Sequence, residues 1–388
     1  MTQRFAVKVV CFSEIQWKYT RTRKQQILSR LPHDWEVLFL SSVVKGKPNN
    51  FLPQREGRII HVCVPVFKNF PQKTVRALFS FPPMRFIWNI ILYVWLHVIF
   101  LLTGFLGRDR ICYVSNIYYA HILRFLPRTL MFYDCNDDHL AFPNTPTWAE
   151  GYYRRLALSA DFAIAVSPGL VDKLRALGVP EVHLVGNGVD YELFNRIAGS
   201  GIPDEMERLK RPIIGYSGVV APWFDFDVFD HVAESFPDAS IVLLGPVYDI
   251  RREELQRVME ARGNIYHLGT KPYEELARYI AAMDVCIVPL QMNELMRLAD
   301  PNKLYEYAAT GRPIVTLKHS EGLESLRDII YLAETKEEFV EQIRYALNAG
   351  VDEVKLKEFA RRSSWPARVR EVTRLILEDL RKKGYHFS

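Results

Sequence analysis

Eleven short runs rich in β-branched and aromatic residues recur along the chain, each separated from the next by enough residues for a helix or a long turn. Six lie in the first half, at 6–12, 36–40, 58–64, 110–115, 130–134 and 162–167. Five lie in the second, at 212–217, 240–245, 264–268, 284–290 and 312–317. The runs are continuously apolar rather than alternating, so both faces of each strand are expected to be covered. That is the pattern of parallel sheets layered between helices. Two such sets imply an α/β chain of two Rossmann-like, doubly wound domains, which bind ligands outside the carboxyl ends of their strands. The Gly- and Pro-bearing stretch 190–210 has little periodicity and is the expected boundary. The first domain then covers 1–195 and the second 205–365. A last helix within 366–388, opened by Ser363-Ser364-Trp365-Pro366, is expected to return to the first domain.

A length of 388 residues suits two cores, and 49% hydrophobic with 24% charged residues is a globular composition. Charge is uneven. In residues 1–130 Lys and Arg outnumber Asp and Glu more than three to one, although the whole chain is only +5. A basic first third implies an anionic partner, such as a membrane surface or a phosphorylated acceptor. No nucleic-acid recognition motif accompanies it, so no nucleic acid is expected. Cys11, Cys63, Cys112, Cys135 and Cys286 are widely spaced and lack metal-ligand spacing, so they are expected to be reduced and buried, as in a cytoplasmic protein. The opening MTQRFAVKVVCF has the pattern of a strand rather than of a signal peptide. No G-x-G-x-x-G, G-x-x-x-x-G-K-[ST], H-E-x-x-H or G-x-S-x-G occurs, against a standard dehydrogenase, P-loop enzyme, zinc protease or serine hydrolase.

The stretch 86–107 holds no charged residue and is long enough as a helix to cross a bilayer. Spanning is rejected on topology, because the strands before and after it belong to one sheet. Asn89, Tyr93, His97 and Gly104 form a weak polar stripe that suits packing onto protein. Two readings stay open: a buried core helix, or a helix whose outer face, with Trp88, Trp95, Phe100 and Phe105, dips into a membrane interface. The segment before it mixes Phe70, Phe79 and Phe81 with Lys68, Lys73, Arg76 and Arg85, the chemistry that an anionic membrane attracts.

The strongest candidate site is the segment 293–313, which follows the run 284–290. Asp300 is a natural N-cap, Pro301 suits the first helical position and Gly311 the stop. Such a helix start is an anion site. Lys303, flanked by Asn302 and Leu304, adds a charge for a diphosphate there. Glu306, one turn on, can accept the two hydroxyls of a ribose. A capped helix with solvated Lys and Glu is the alternative. Gly218, ending the run 212–217, would let backbone approach a ligand. Asp225-Phe226-Asp227 has the D-x-D form of some metal-nucleotide sites but precedes an amphipathic helix, so a cap is expected and no metal. In the first domain Asp137, Asp138 and His139 follow the run 130–134 and could accept a proton from an attacking hydroxyl; an Asp- and Asn-rich turn is the alternative.

Together these segments resemble the GT-B glycosyltransferases, nearest to family 4 and its bacterial exopolysaccharide and teichuronic-acid members. The likeness rests on IIGYSGVVAPWFDFD, SIVLLGPV, NIYHLGTKPYEEL and ADPNKLYEYAATGRPIV in the second half, and on AIAVSPGLVDKLRALG and VGNGVDYELF in the first. It implies two Rossmann-like domains facing across a cleft and transfer of a sugar from a UDP or GDP sugar, with no further cofactor. The acceptor would be lipid-linked or a glycan, at the inner face of the cell membrane. By the same resemblance Gly218 faces the donor phosphates or sugar, Lys303 neutralises the leaving diphosphate in place of a metal, and Glu306 binds the ribose. Lys271 and Tyr273 lie near the nucleobase. Many family members carry a Glu eight positions before the second one. Here Leu298 stands there, with Asn293 and Glu294 nearby for the sugar hydroxyls. A related inverting xanthan-pathway glucuronosyltransferase has a similar lysine and a base in the first domain. A sugar-nucleotide epimerase of the same architecture and a non-catalytic nucleotide-sugar-binding relative are the other readings.

Overall fold

The computed structural model describes residues 7–18, 21–44, 48–66 and 73–385. The chain divides into two compact units, one of Met1–Val185 with Val369–Ser388 and one of Gly186–Arg368. The second unit starts before the 190–210 stretch because Val189 and Phe194 belong to its core. The polar look of that stretch hides the helix Tyr191–Ala198, which buries Phe194.

The first unit holds β1 (Lys8–Phe12), β2 (Glu36–Ser42), β3 (Gln54–Glu56), β4 (Ile59–Val64), β5 (Arg110–Val114), β6 (Leu130–Cys135), β7 (Phe162–Ala165) and β8 (Val182–Leu184). Their order is β3-β4-β2-β1-β5-β6-β7-β8, parallel except for β3. The helices that matter below are α1 (Arg23–Ser29), α2 (Lys73–Ser80), α3 (Pro82–Thr103), α4 (Ala120–Leu123) and α5 (Ala149–Ser159).

The second unit holds β9 (Ile213–Ser217), β10 (Ser240–Leu244), β11 (Ile265–His267), β12 (Val285–Val288), β13 (Ile314–Leu317) and β14 (Tyr331–Ala333), in the parallel order β11-β10-β9-β12-β13-β14. Alternate strand residues feed two cores. Ile213, Val242 and Cys286 face one, and Ile214, Ile241 and Val285 face the other. Helix α6 (Asn302–Thr310) follows β12, and α7 (Trp365–Lys382) starts in the second unit and continues into the first. Strand order reverses between β1 and β5 in one sheet and between β9 and β12 in the other. These are the topological switch points at which open α/β sheets bind ligands.

Helix α3 is not a core helix. Only 22% of its most apolar window is buried. Its ends join β4 and β5 of one sheet, and β5 pairs directly with β1 in the register Lys8↔Arg110, so the helix cannot span a membrane. The buried stripe is Leu92, Leu96, Ile99 and Phe100, at helical spacing. This corrects the expected outer face. Phe100 and Phe105 are buried, with the Arg110 guanidinium 4.4 Å over the Phe100 ring, and the Trp88 indole donates to the Pro65 carbonyl. Trp95 stays exposed, and the outward residues are Phe86, Ile87, Ile90, Ile91, Val94, Val98, Leu101 and Leu102. Lys68 and Phe70 lie outside the described residues. All five cysteines are buried free thiols.

Candidate functional site

Three segments meet at the carboxyl ends of β9, β12 and β13. Gly218, just after β9, has φ +154°, and a Cβ there would lie 2.8 Å from the Tyr216 hydroxyl and 3.0 Å from Lys303 Cε. Only glycine leaves that space open. Helix α6 is fixed against the same turn by Tyr307, a buried residue whose hydroxyl accepts from the Ser217 amide (2.7 Å) and donates to the Ser217 carbonyl (3.2 Å). Leu304 seats the helix in the core, and Gly311 ends it at φ +73°.

The first turn of α6 carries Asn302 and Lys303, and Glu306 is one turn on. Lys303 Nζ lies 5.3 Å above the Tyr216 ring. Burial lowers the Lys303 ammonium to about 8, with Glu306 opposing, and raises the Glu306 carboxyl to about 7 against the pull of Lys303. Among the described residues neither side chain is hydrogen-bonded or ion-paired, and the buried Asn302 Oδ1 has no partner. His319, just past β13, was missed in the sequence, where it lay beyond a strand run with no acid or motif beside it. It is 3% exposed. Its Nδ1 is 3.0 Å from the Leu317 carbonyl, so that nitrogen carries the proton and Nε2 is left as a buried acceptor without a partner. Burial holds its pKa near about 4, so the ring is neutral at pH 7. Buried, unsatisfied and perturbed groups gathered at one switch point mark a ligand site.

Glu306 gives a sign-specific expectation. Its folded pKa of about 7 exceeds the ordinary 4.5, so the penalty for ionising it grows as pH rises from about 4.5 to 7 and is complete above. Glu306→Gln should be more stable than the parent by about 2–3 kcal/mol above pH 7, with the difference vanishing below about pH 4.5. Denaturant unfolding at several pH values checks this, and a pH-independent difference would contradict it.

Other expected donor residues are placed differently. Asp300 does not cap α6, whose N-cap is Pro301. Its carboxylate instead accepts from the Asn187 amide (2.6 Å) and the Tyr305 hydroxyl (2.8 Å), tying the entry of α6 to the start of the second unit. Lys271 is committed to Glu205 and lies over the Tyr279 ring, and Tyr273 packs on Phe194. Asn293 caps the short helix Glu294–Arg297 by accepting from the Met296 amide (3.0 Å), while exposed Glu294 reaches Arg297. Leu298 is buried. Asp225 accepts from the Val228 amide (3.1 Å) as an N-cap. Among the described residues no cluster of three side chains could hold a metal.

The first unit has its own cluster at its switch point. Asp137, after β6, takes a hydrogen bond from the Asn136 amide group (2.5 Å), and burial raises its carboxyl to about 7, with Lys24 opposing. Burial holds His139 below its ordinary pKa against the pull of Glu14, and its Nε2 is buried without a partner. Asp138 is set apart by Lys173, whose Nζ is 2.7 and 2.8 Å from its two oxygens. Three members were not foreseen. Glu14, after β1, pairs with buried Lys24 and accepts from Ser115 (2.9 Å), and Arg23 holds buried Asp134 at 3.0 Å. Arg23 and Lys24 open α1. In sequence they were indistinguishable from the solvated basic residues around them.

Comparison with known proteins bears on both units. Residues 211–349 match the family described as glycosyl transferases group 1, so the second unit carries such a domain. A Bacillus subtilis (strain 168) protein named for teichuronic acid biosynthesis glycosyltransferase, TuaH, is 31% identical over 150 residues, 37% of this chain and 36% of its own length. A GDP-mannose-dependent alpha-mannosyltransferase of Mycobacterium tuberculosis (strain CDC 1551 / Oshkosh) is 30% identical over 151 residues, 37% of each chain. The chain thus spans little more than a third of either relative. The whole fold resembles an E. coli trehalose-6-phosphate structure bound with UDP-2-fluoro glucose (TM-score 0.72, 13% identity, 96% of this chain and 98% of that one). It also resembles Anabaena HepE in complex with UDP and glucose (TM-score 0.67, 13% identity, 96% and 99%). At that identity the likeness shows the fold, that of the GT-B glycosyltransferases with two parallel-sheet domains.

Proposed function

We propose that this chain is a metal-independent glycosyltransferase that moves a sugar from a UDP or GDP sugar to a lipid-linked or glycan acceptor at the inner face of the cell membrane. The observation that carries the donor half is the half-buried pair Lys303 and Glu306, neither hydrogen-bonded nor ion-paired among the described residues, on a helix that follows β12. A diphosphate supplies the counter-charge that Lys303 lacks, and it also gains the free amides of the helix start. A ribose supplies two hydroxyls to Glu306, which its negative charge would accept. The neutral His319 acceptor and Asn302 Oδ1 offer sites for further donor hydroxyls.

In the reaction an acceptor hydroxyl forms a bond to the anomeric carbon as the bond from that carbon to the β-phosphate oxygen breaks. The electron pair leaves with the nucleoside diphosphate, where Lys303 compensates the growing charge. In an inverting transfer Asp137 takes the hydroxyl proton, since its pKa near 7 suits a general base. The test is nucleoside diphosphate release and glycoside formation with a panel of donors and acceptors. Donor interconversion without an acceptor would show an epimerase, and donor binding with no release would show a non-catalytic binder.

The membrane half rests on α3. Its exposed apolar face belongs with exposed Leu78, Phe81 and Phe125 and with the cations Arg76, Arg85 and Arg108, a combination that suits an interfacial contact with anionic lipid. Leu101 and Leu102 are about two-thirds exposed, at 66% and 65%, so Leu101→Glu with Leu102→Glu should leave the fold intact. Binding to phosphatidylglycerol vesicles should fall by at least about tenfold. Unchanged co-sedimentation would contradict the membrane role of this face.

A further inference from the structure

One cavity stands apart from both polar clusters. It lies between α3 and α4 of the first unit, with a volume of about 360 Å³, and is walled by Phe86, Ile90, Tyr93, Ile122 and Phe125, with Asn89 and Arg124 as polar members of the lining. Pockets for small organic ligands begin at about this size. Its walls are mostly apolar, yet they include a cation. His121 lines it half-buried, and burial together with Arg155, Arg124 and Arg85 holds that ring neutral, with a pKa near about 4. Arg85 is already used by the Phe79 and Ser80 carbonyls. Arg124 lines the cavity too; it is exposed, stacks at 4.3 Å on the Phe125 ring and has no ion pair among the described residues. The groove therefore joins a hydrocarbon-sized trough to a guanidinium that lacks a counter-charge. It also continues the exposed face of α3, through Phe86 and Ile90, which are 67% and 49% exposed.

The geometry points to a binding site for one lipid molecule: the hydrocarbon chain of a phosphate-bearing acceptor lies between α3 and α4, with its phosphate against Arg124. A bilayer lipid held in the leaflet needs no such trough, and a soluble phosphate would gain nothing from its aromatic walls. The apolar trough and Arg124 together fit a long-chain prenyl or alkyl phosphate, with an affinity that rises roughly fourfold for each methylene buried. This inference rests on the proposal of a lipid-linked acceptor but uses neither donor nor turnover in its test.

The experiment is titration of the full chain with farnesyl phosphate below its micelle concentration, read by calorimetry, beside farnesol, inorganic phosphate and phosphatidylglycerol vesicles. Farnesyl phosphate should bind saturably, and farnesol at least about tenfold more weakly, because it lacks the charge. Tyr93→Trp narrows the trough at a residue that lines it and is not part of the exposed face of α3. It should weaken farnesyl phosphate about tenfold or more while vesicle binding stays. Arg124→Gln should remove the preference for the phosphate over farnesol. Farnesyl phosphate binding that is absent, or that Tyr93→Trp leaves unchanged, would overturn the site. So would equal losses of farnesyl phosphate and vesicle binding, which would make the groove a patch of the bilayer contact. Nucleoside diphosphate binding, measured in parallel, tells a failure of the donor site from a failure of the groove.

Discussion

Replacing Lys303 by alanine should lower turnover by about 10²–10³-fold, the scale set by removing one preorganised charge that meets a leaving group. The loss should fall on kcat as well as on donor affinity, because the charge on the diphosphate grows as the glycosidic bond breaks. Stability should not fall in step. Lys303 has a cation–π contact with Tyr216 but no hydrogen bond or ion pair among the described residues, and burial holds its pKa near about 8. Its folded pKa is below the ordinary 10.5, so its charge destabilises the fold fully below about pH 8 and the penalty is relieved as pH rises towards 10.5. Lys303→Met keeps the chain length and removes that charge. It should melt no lower than the parent at pH 7 and be as inactive as Lys303→Ala. Near-normal turnover in either variant would remove the diphosphate role.

Asp137→Asn should cost about 10²–10⁴-fold in glycosyl transfer, the range for losing a positioned general base. Donor binding should be unchanged, because the residue belongs to the first unit and the donor groups to the second. The parent's kcat should rise with pH through about 7 as Asp137 ionises, and this limb should vanish in the variant. Asp138→Asn is the control. That carboxylate is held by Lys173, so its loss should lower the melting temperature more than turnover. An inverted anomeric linkage should accompany these results. A retained anomer with Asp137→Asn near parental activity would overturn the base assignment.

The architecture was legible because a buried parallel strand leaves a dense apolar run. All eleven runs coincide with strands of the two sheets. The three strands not foreseen are β3, β8 and β14, each of three residues at or beside a sheet edge, too short to leave a period. The α6 segment was legible for a different reason, since Lys303 and Glu306 stand at helical spacing after a strand. Its details were not. Asp300 has the residue type of a cap, but its partners, Asn187 and Tyr305, make it a brace instead, and the Asn187 contact spans 113 positions of sequence. Glu14, Lys24 and His319 were invisible for the same reason. Each becomes a site residue only when separate strands of a doubly wound sheet bring their carboxyl ends together. On α3 the period was visible but its phase was not, because a helix apolar on every side does not reveal which stripe the sheet will cover.

Thermal unfolding of the full chain with UDP, GDP and their sugars tests the donor site most directly, since a ligand of the folded state raises the melting temperature. At a concentration of one hundred times its dissociation constant a true donor should add about 2.7 kcal/mol of stability. That gain should be largely lost in Lys303→Met and Glu306→Gln and kept in Asp137→Asn. No stabilisation by any nucleoside diphosphate sugar, or stabilisation that persists in Lys303→Met and Glu306→Gln, would contradict a donor site at the start of α6.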